Sequence, residues 1–464
     1  MASEQVVRRG LAQSQLFLDD TWIADSVGVA RVLHLPRKYP WPVLKADKKW
    51  ERFGIVAYGT VLFWRGKFRI WYVTWCRSSP RTVCYAESED GVFWEKPALG
   101  LCHFEGSTAN NIVYVPREGG VDCLGVIDDA GDEAWPLKAI VWRGGPRSGL
   151  VALRSRDGIH WEEKPGLVLP AWGDRTNVMA AREQSKYVVL GRAPRTVQPN
   201  YGVRVVWRTD SRNLIRWSRP QLVMKPDHED PPRMEIYSMT AFRYESLYLG
   251  LIERMHMTPD KVDLELAYSS DSWLWHRTRP RPSFIPWGPP GSWDDSWIAS
   301  PTNGPIRREG SLWFFYSGRS GAHNVAEPHN QGAIGLATLR EDGFASLRAA
   351  ERPGCVLTPA FRWPGGDLLL NMDARSDLSS HPQRCNGELT VEVRDRAGKP
   401  LRGYTHGDCI PLRGNTQGMQ AQTPCPVLWK DQRSLAAQKG REIRLAFRLR
   451  DCHLYSFRAG MAGT

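Results

Sequence analysis

The chain has 464 residues and a formal net charge of +12, with 62 Lys and Arg against 50 Asp and Glu. Hydrophobic residues make up 42% and include 21 Trp, enough for more than one large core, so the length suits a large domain plus a second module. No Lys/Arg-rich block points to nucleic acid, and no run of about 18 apolar residues suggests a membrane-spanning helix. Met1 to Gly10 carries no apolar run of signal-peptide type, which predicts a cytoplasmic protein. The nine Cys form no CxxC pair and no zinc spacing, so free thiols are expected rather than a disulfide framework.

A short motif returns along the chain. Ser88-Glu89-Asp90-Gly91-Val92-Phe93-Trp94 and Ser155-Arg156-Asp157-Gly158-Ile159-His160-Trp161 are near copies. Looser versions run from Thr209-Asp210 to Trp217, from Ser270-Asp271 to Trp275, and through Glu341-Asp342-Gly343-Phe344. A period of roughly 60 residues is the mark of a radially repeated β-fold. Asp-Gly supplies the positive φ of a tight turn, and the Trp that follows packs across a sheet. The expectation is an all-β protein, a five-bladed β-propeller over residues 1–350.

Strand-like runs fill the spaces in chain order. The first blade takes Tyr58 to Trp64, Phe68 to Trp75 and Thr82 to Ser88; the second takes Asp122 to Ile127, Leu137 to Trp142 and Leu150 to Ser155. The third takes Asn177 to Ala181, Tyr187 to Gly191 and Val203 to Thr209. Tyr237 to Tyr244, Leu247 to Ile252 and Val262 to Ser269 form the fourth; Asn303 to Ile306, Leu312 to Ser317 and Ala333 to Leu339 form the fifth. The segment Leu16 to Leu35 is expected to close the ring as an outer strand. After residue 350 the period stops, and alternating runs such as Glu388 to Val393 and Ile443 to Leu449 predict a β-sandwich over 351–464. Ser376 to Asn386 reads as a polar loop inserted into it.

Several segments stand in one order. They are Gly250-Leu251, Leu266-Ala267-Tyr268-Ser269, Gly291-Ser292-Trp293-Asp294, Ile334 to Arg340, Asn371-Met372-Asp373-Ala374 and Leu454-Tyr455-Ser456-Phe457. That order resembles bacterial proteins similar to glycoside hydrolase family 32, in the clan of five-bladed furanosidases, over about residues 14 to 460. The resemblance implies the propeller fold and a carbohydrate-active enzyme. It also leaves room for an ion on the axis; the sequence itself calls for no cofactor and no metal.

Strand direction sorts the polar residues. In a propeller each innermost strand starts, and each second strand ends, at the face where the central funnel opens, while the Asp-Gly turns lie at the other end. Asp90, Asp157 and Asp342 are therefore structural. Asp128 and Asp129 fall at the far turn too, with Ile127 where the furanosidase Arg-Asp-Pro triplet has Arg, and that role is not carried over. Acids before or at the inner strands are Glu51, Asp122, Asp174, Glu235, Asp294 and Asp295. Glycoside hydrolysis needs one carboxyl that stays protonated and another that attacks or activates water. Asp174, Glu235 and Asp294 are taken as catalytic, because Gly-Asp-Arg-Thr-Asn, Glu-Ile-Tyr and Gly-Ser-Trp-Asp match segments recurrent in the family.

The second strands end in Arg77, Arg143, Arg192, Arg254 and Arg319. Such a ring would bind an anionic group bidentately, or pair with the inner acids and hold the funnel together. His256 and His323 follow two of these arginines, and Tyr58 and Tyr237 open inner strands; all four join the substrate-binding set with Glu51, Asp122 and Asp295. Trp75, Trp142, Trp293 and Trp297 are candidates to stack on sugar rings. The leading expectation is a glycoside hydrolase-like enzyme acting on a small-molecule or oligosaccharide substrate, anionic if the arginines bind it. The alternatives are a propeller recruited for elimination, cyclisation or group transfer, and a non-catalytic carbohydrate-binding protein.

Overall fold

The computed structural model describes residues 10–52, 54–74, 81–184, 186–194, 203–323, 332–375, 387–416 and 425–460. Among them the protein is all-β, with short 3-10 turns and no α-helix. The chain divides into two compact units. One holds residues 36–306 and 313–338; the other holds residues up to 35, 307–312 and those from 339 onward.

In the larger unit an antiparallel four-strand pattern occurs five times. The first sheet runs from Ile55–Val56 and Val61–Trp64 through Lys67–Thr74 and Val83–Ser88 to Ile112–Tyr114. The second follows Val121–Asp128, Leu137–Arg143, Gly149–Ser155 and Trp161–Glu163, and the third Asn177–Ala181, Lys186–Gly191, Val206–Ser211 and Gln221–Met224. The fourth is Met234–Tyr244, Leu247–His256, Lys261–Ser269 and His276–Arg277. The fifth, joined to the fourth in one continuous sheet by a parallel pairing of Val262 with Trp297, begins at Trp297–Ala299, continues through Ser311–Arg319 and Gly332–Arg340, and is completed by Arg37–Lys38 and Leu44–Lys45.

The leading strands touch in a closed circle. Leu124 donates its N–H to the Tyr58 carbonyl at 2.9 Å, and Thr302 donates to the Gly59 carbonyl at 2.8 Å. A Cβ on Gly125 would meet Val178 at 2.2 Å, so the second and third leading strands pack too closely for a side chain there. Asn177 donates to the Met239 carbonyl at 3.0 Å, and Thr240 to that of Pro301 at 2.7 Å. Buried hydroxyls fill the middle: Thr60 and Thr302 lie 2.6 Å apart, both fully buried.

Ring closure differs from expectation. Residues 37–45, not 16–35, give the outer strand of the fifth sheet, with Lys38 opposite Ala337 and Leu44 opposite Ile334. The earlier segment goes to the smaller unit, where Gln15–Leu16 pairs Cys452–Ala459, Asp25–Val27 pairs Gly354–Leu357 and Ala30–Leu33 pairs Ala345–Ala349. Its apolar residues explain the choice: Phe17 and Trp22 are fully buried with Phe361, Trp363 and Phe447 in the core shared by that unit's two sheets. The expected polar loop 376–386 lies outside the described residues.

The recurring motif is a self-contained turn between third and outer strands. The Ser155 hydroxyl accepts the Gly158 N–H at 2.8 Å, and Asp157 accepts those of Ile159 and His160, each at 2.9 Å. The Trp161 indole donates back to the Gly158 carbonyl at 3.0 Å. Ser88 and Asp90 repeat the pattern. So do Ser269 and Asp271, and so do Ser211 and Asn213. The third copy is thus Ser211-Arg212-Asn213, two residues later than the Thr209-Asp210 alignment, with Asn standing in for Asp. Glu341-Asp342-Gly343-Phe344 is not a fifth copy: Asp342 accepts a hydrogen bond from Ser456 at 2.6 Å instead. Glycine is required at 158, where φ is +81° and a Cβ would lie 2.6 Å from the Trp71 ring. Replacing Asp157 with Ala strands two N–H groups and should cost about 1–2 kcal/mol in urea unfolding, with ligand affinity unchanged.

Candidate functional site

One end of the larger unit gathers its ionisable residues. Asp122 is second in its strand, Glu235 is second in Met234–Tyr244, and Asp174 sits three residues ahead of Asn177–Ala181. Arg192 follows Lys186–Gly191, Arg319 ends Ser311–Arg319, and His323 lies four residues on. Arg81 and Arg204 each stand two residues before a third strand. Leading strands therefore deliver acids to the end where second strands finish and third strands start.

Each acid has its own guanidinium. Arg81 donates to Asp122 at 2.7 Å, Arg192 donates to Asp174 at 2.8 Å, and Arg204 pairs with Glu235. The two aspartates differ in exposure: the Asp122 side chain is 11% exposed and that of Asp174 37%. Burial pushes Asp122 up to about 6 against the pull of Arg81, and the nearby charge of Asp174 adds to the rise. Burial also acts to raise Asp174, but Arg192, the Arg175 N–H and Arg81 together hold it below the usual carboxylate range. Two carboxyls near one another are thereby driven apart in acidity.

Beneath them lies a buried ion pair. Arg175 and Glu253 are 1% and 0% exposed and make a two-pronged contact, with Arg175 Nε donating to Glu253 at 3.1 Å. Arg175 also donates to the Ser300 carbonyl at 2.6 Å, and its guanidinium lies 4.1 Å from the Tyr58 ring centre. Glu253 additionally accepts the Ser300 N–H at 3.1 Å.

Aromatic rings form the other wall. Tyr237 and Trp297 meet edge to face at 5.1 Å, and His323 stacks on Trp297 at 4.8 Å. Arg192 lies over Tyr237 at 4.8 Å and Arg319 over Trp297 at 4.2 Å. Burial lowers His323 to about 4, helped by the charges of Arg319, Arg204 and Arg192, so its imidazole is neutral at neutral pH.

The structure thus groups Asp122, Asp174, Glu235, Tyr58, Tyr237, Arg192, Arg319 and His323 from the sequence-derived set. Others are engaged elsewhere. Glu51 is fully buried and saturated: Lys96 and Tyr72 donate to it, as do the N–H groups of Asp47 and Lys48. Asp294 receives Lys38 at 2.7 Å, Tyr316 at 2.9 Å and Ser292 at 3.0 Å, holding the closing strand to the fifth sheet. Asp295 accepts from the Gly291 N–H and the Ser296 hydroxyl. Arg143 turns to Glu163 in the outer strand of its own sheet. Arg254 and His256 turn to Asp263 in the neighbouring third strand, Arg254 reaching Glu265 as well. Arg77 and Trp75 lie outside the described residues. Among the described residues, no group of three or more His, Cys, Asp or Glu is placed to hold a metal ion.

Arg81, Arg175, Arg204 and Glu253 belong to the group but were not singled out from the sequence. Glu253 carried a signal, as a lone carboxylate in the buried run Leu247 to Met255, where an unpaired charge is untenable. Arg81 and Arg204 carried none, since only the contact between neighbouring sheets, Val121 N–H to the Arg81 carbonyl and Ile236 N–H to that of Arg204, brings them to Asp122 and Glu235.

No family model matches the chain, and no curated protein does. Among solved structures it is similar to a GH62 α-L-arabinofuranosidase catalytic domain from Coprinopsis cinerea. The identity is 12% over 66% of this chain and 97% of that one, with a TM-score of 0.48. An α-L-arabinofuranosidase from Podospora anserina in complex with cellotriose is 13% identical over 67% and 98%, with a TM-score of 0.47. An N-acetylgalactosamine deacetylase from F. plautii is 15% identical over 74% and 97%, with a TM-score of 0.44.

The buried pair gives a direct test. Glu253→Ala leaves the Arg175 charge without its carboxylate and should cost about 3–5 kcal/mol in denaturant unfolding. Replacing both residues with Met should cost clearly less than that single change.

Proposed function

We propose that the chain is a glycoside hydrolase-like enzyme, a five-bladed propeller with its reaction at the Asp122–Asp174 end. Asp122 is the general acid. Its raised acidity constant keeps a proton available to the leaving glycosidic oxygen, and Arg81 orients the carboxyl through one oxygen. Asp174, ionised and held by Arg192, is the base or nucleophile on the anomeric side. Glu235, paired with Arg204, is assigned to substrate contact, and Asp294 to holding the closing strand rather than to the chemistry.

The observation that carries this reading is the pair of neighbouring aspartates whose surroundings drive their acidities in opposite directions. The order of segments resembling family 32 supports the same class. A carbohydrate-binding protein without turnover would keep its ligand affinity when either aspartate is made neutral.

The test is turnover of aryl glycosides and uronate-containing oligosaccharides by the protein and its variants. Asp122→Asn and Asp174→Asn should each lower kcat by roughly a hundred- to ten-thousand-fold, while Asp294→Asn should lower stability more than kcat. Turnover that survives both aspartate changes would sink the assignment.

A pH profile gives a second check. The acid must be protonated, so activity should fall as pH rises through about 6. Arg81 favours the ionised form of Asp122, so Arg81→Gln should move that alkaline limb to higher pH. A limb that stays in place would remove Asp122 from the acid role.

A further inference from the structure

The buried polar atoms at this end that have no hydrogen-bond partner among the described residues include three close to Tyr237: the Tyr58 hydroxyl, Arg192 Nε and His323 Nδ1. Tyr58 is 1% exposed, so water on the surface does not satisfy it. An unsatisfied buried group costs on the order of 1–3 kcal/mol, and three in one neighbourhood point to something that completes them. The other polar atoms of Arg192 and His323 face partners. Arg192 spends one terminal nitrogen on Asp174 and the other on the Tyr237 carbonyl, and His323 Nε2 faces the Tyr237 hydroxyl at 3.5 Å.

The chemistry of the missing partner follows from the donors. The phenol O–H and the Arg192 Nε–H both need an acceptor oxygen. Charge selects among acceptors. Arg192 and Arg204 lie over the Tyr237 ring and Arg319 over Trp297, the two rings that contact His323. Asp122, Asp174 and Glu235 are each covered by an arginine of their own, and the charge of Asp260, which acts on the imidazole in the opposite sense, does not outweigh Arg319, Arg204 and Arg192 together. A group placed among these rings meets hydrogen-bond donors and positive charge together, which suits an oxyanion better than a neutral hydroxyl.

We propose that Tyr58, Arg192 and His323 bind a carboxylate carried by the sugar, which makes the substrate a uronate-type glycoside. Tyr58 and Arg192 donate to the carboxylate oxygens, and His323, in its Nδ1–H form, donates a third bond. The assignment of a sugar rests on the hydrolase reading above; the recognition of the carboxylate does not.

Calorimetric binding of free D-glucuronate and D-galacturonate, each against its neutral uronamide, tests the proposal without any bond to cleave. At least one acid should bind about tenfold or more tightly than its amide. Tyr58→Phe should remove most of that preference while leaving the melting temperature equal or higher, because it deletes only an unsatisfied hydroxyl. His323→Ala should weaken the same preference. Acids that bind no better than amides would overturn the proposal, as would a preference untouched by Tyr58→Phe. Carboxylate binding that persists without turnover of any glycoside would instead overturn the hydrolase reading alone.

Discussion

The larger unit depends on burying a guanidinium at its centre. Arg175 reaches Glu253 in the fourth sheet, the Ser300 carbonyl ahead of the fifth sheet's return, and the ring of Tyr58 in the first. Its charge also bears on Asp122 in the second. Taking such a charge out of water costs several kcal/mol, and only a fully bonded carboxylate makes the position tenable. Glu253 meets that demand and is itself held by the Ser300 N–H. One ion pair thus ties strands from separate sheets to a common point, and the acids above it inherit fixed positions.

The same pair adds to the electrostatics of the site. Asp122 is buried, and the charge of Arg81 first, with that of Arg175 behind it, keeps its acidity at about 6. Asp174 follows Gly173 at a half-exposed corner and keeps its charge through Arg192. Burial raises both aspartates, and their neighbours separate them: Asp174 has Arg192, the Arg175 N–H and Arg81 against that rise, whereas Asp122 has the charge of Asp174 adding to it.

How much of this the sequence carried depends on the range of the interaction. The turn motif was legible because its hydrogen bonds run within seven residues, and it placed the third and outer strands of four sheets. Its looser copies misled where one residue type replaced another: Asn213 does the work of an aspartate, and Asp210 three positions earlier drew the alignment away. Strand direction places Asp122, Asp174, Glu235, Arg192 and Arg319 at one end. It did not separate them from Arg143, Arg254 and Asp294, which stand at similar chain positions but are claimed by Glu163, Asp263 and Lys38. Side chains at a strand end turn inward or outward by a single residue of register, and a cross-strand partner of opposite charge decides which. Those partners lie on separate strands, so no local pattern announces them. The destination of residues 16–35 was hidden for the same reason, since Phe17 and Trp22 answer to a core built from residues beyond 345.

The first described stretch of chain completes both units late. Residues 37–45 add the outermost strand to Gly332–Arg340, and Gln15–Leu16 lies along Cys452–Ala459. During synthesis this segment leaves the ribosome before the strands it pairs with and must wait for them before it finds its place. Until then the fifth sheet keeps an open edge and the apolar side chains of Phe17 and Trp22 have nowhere to bury. For these two edges, assembly order runs against the direction of translation.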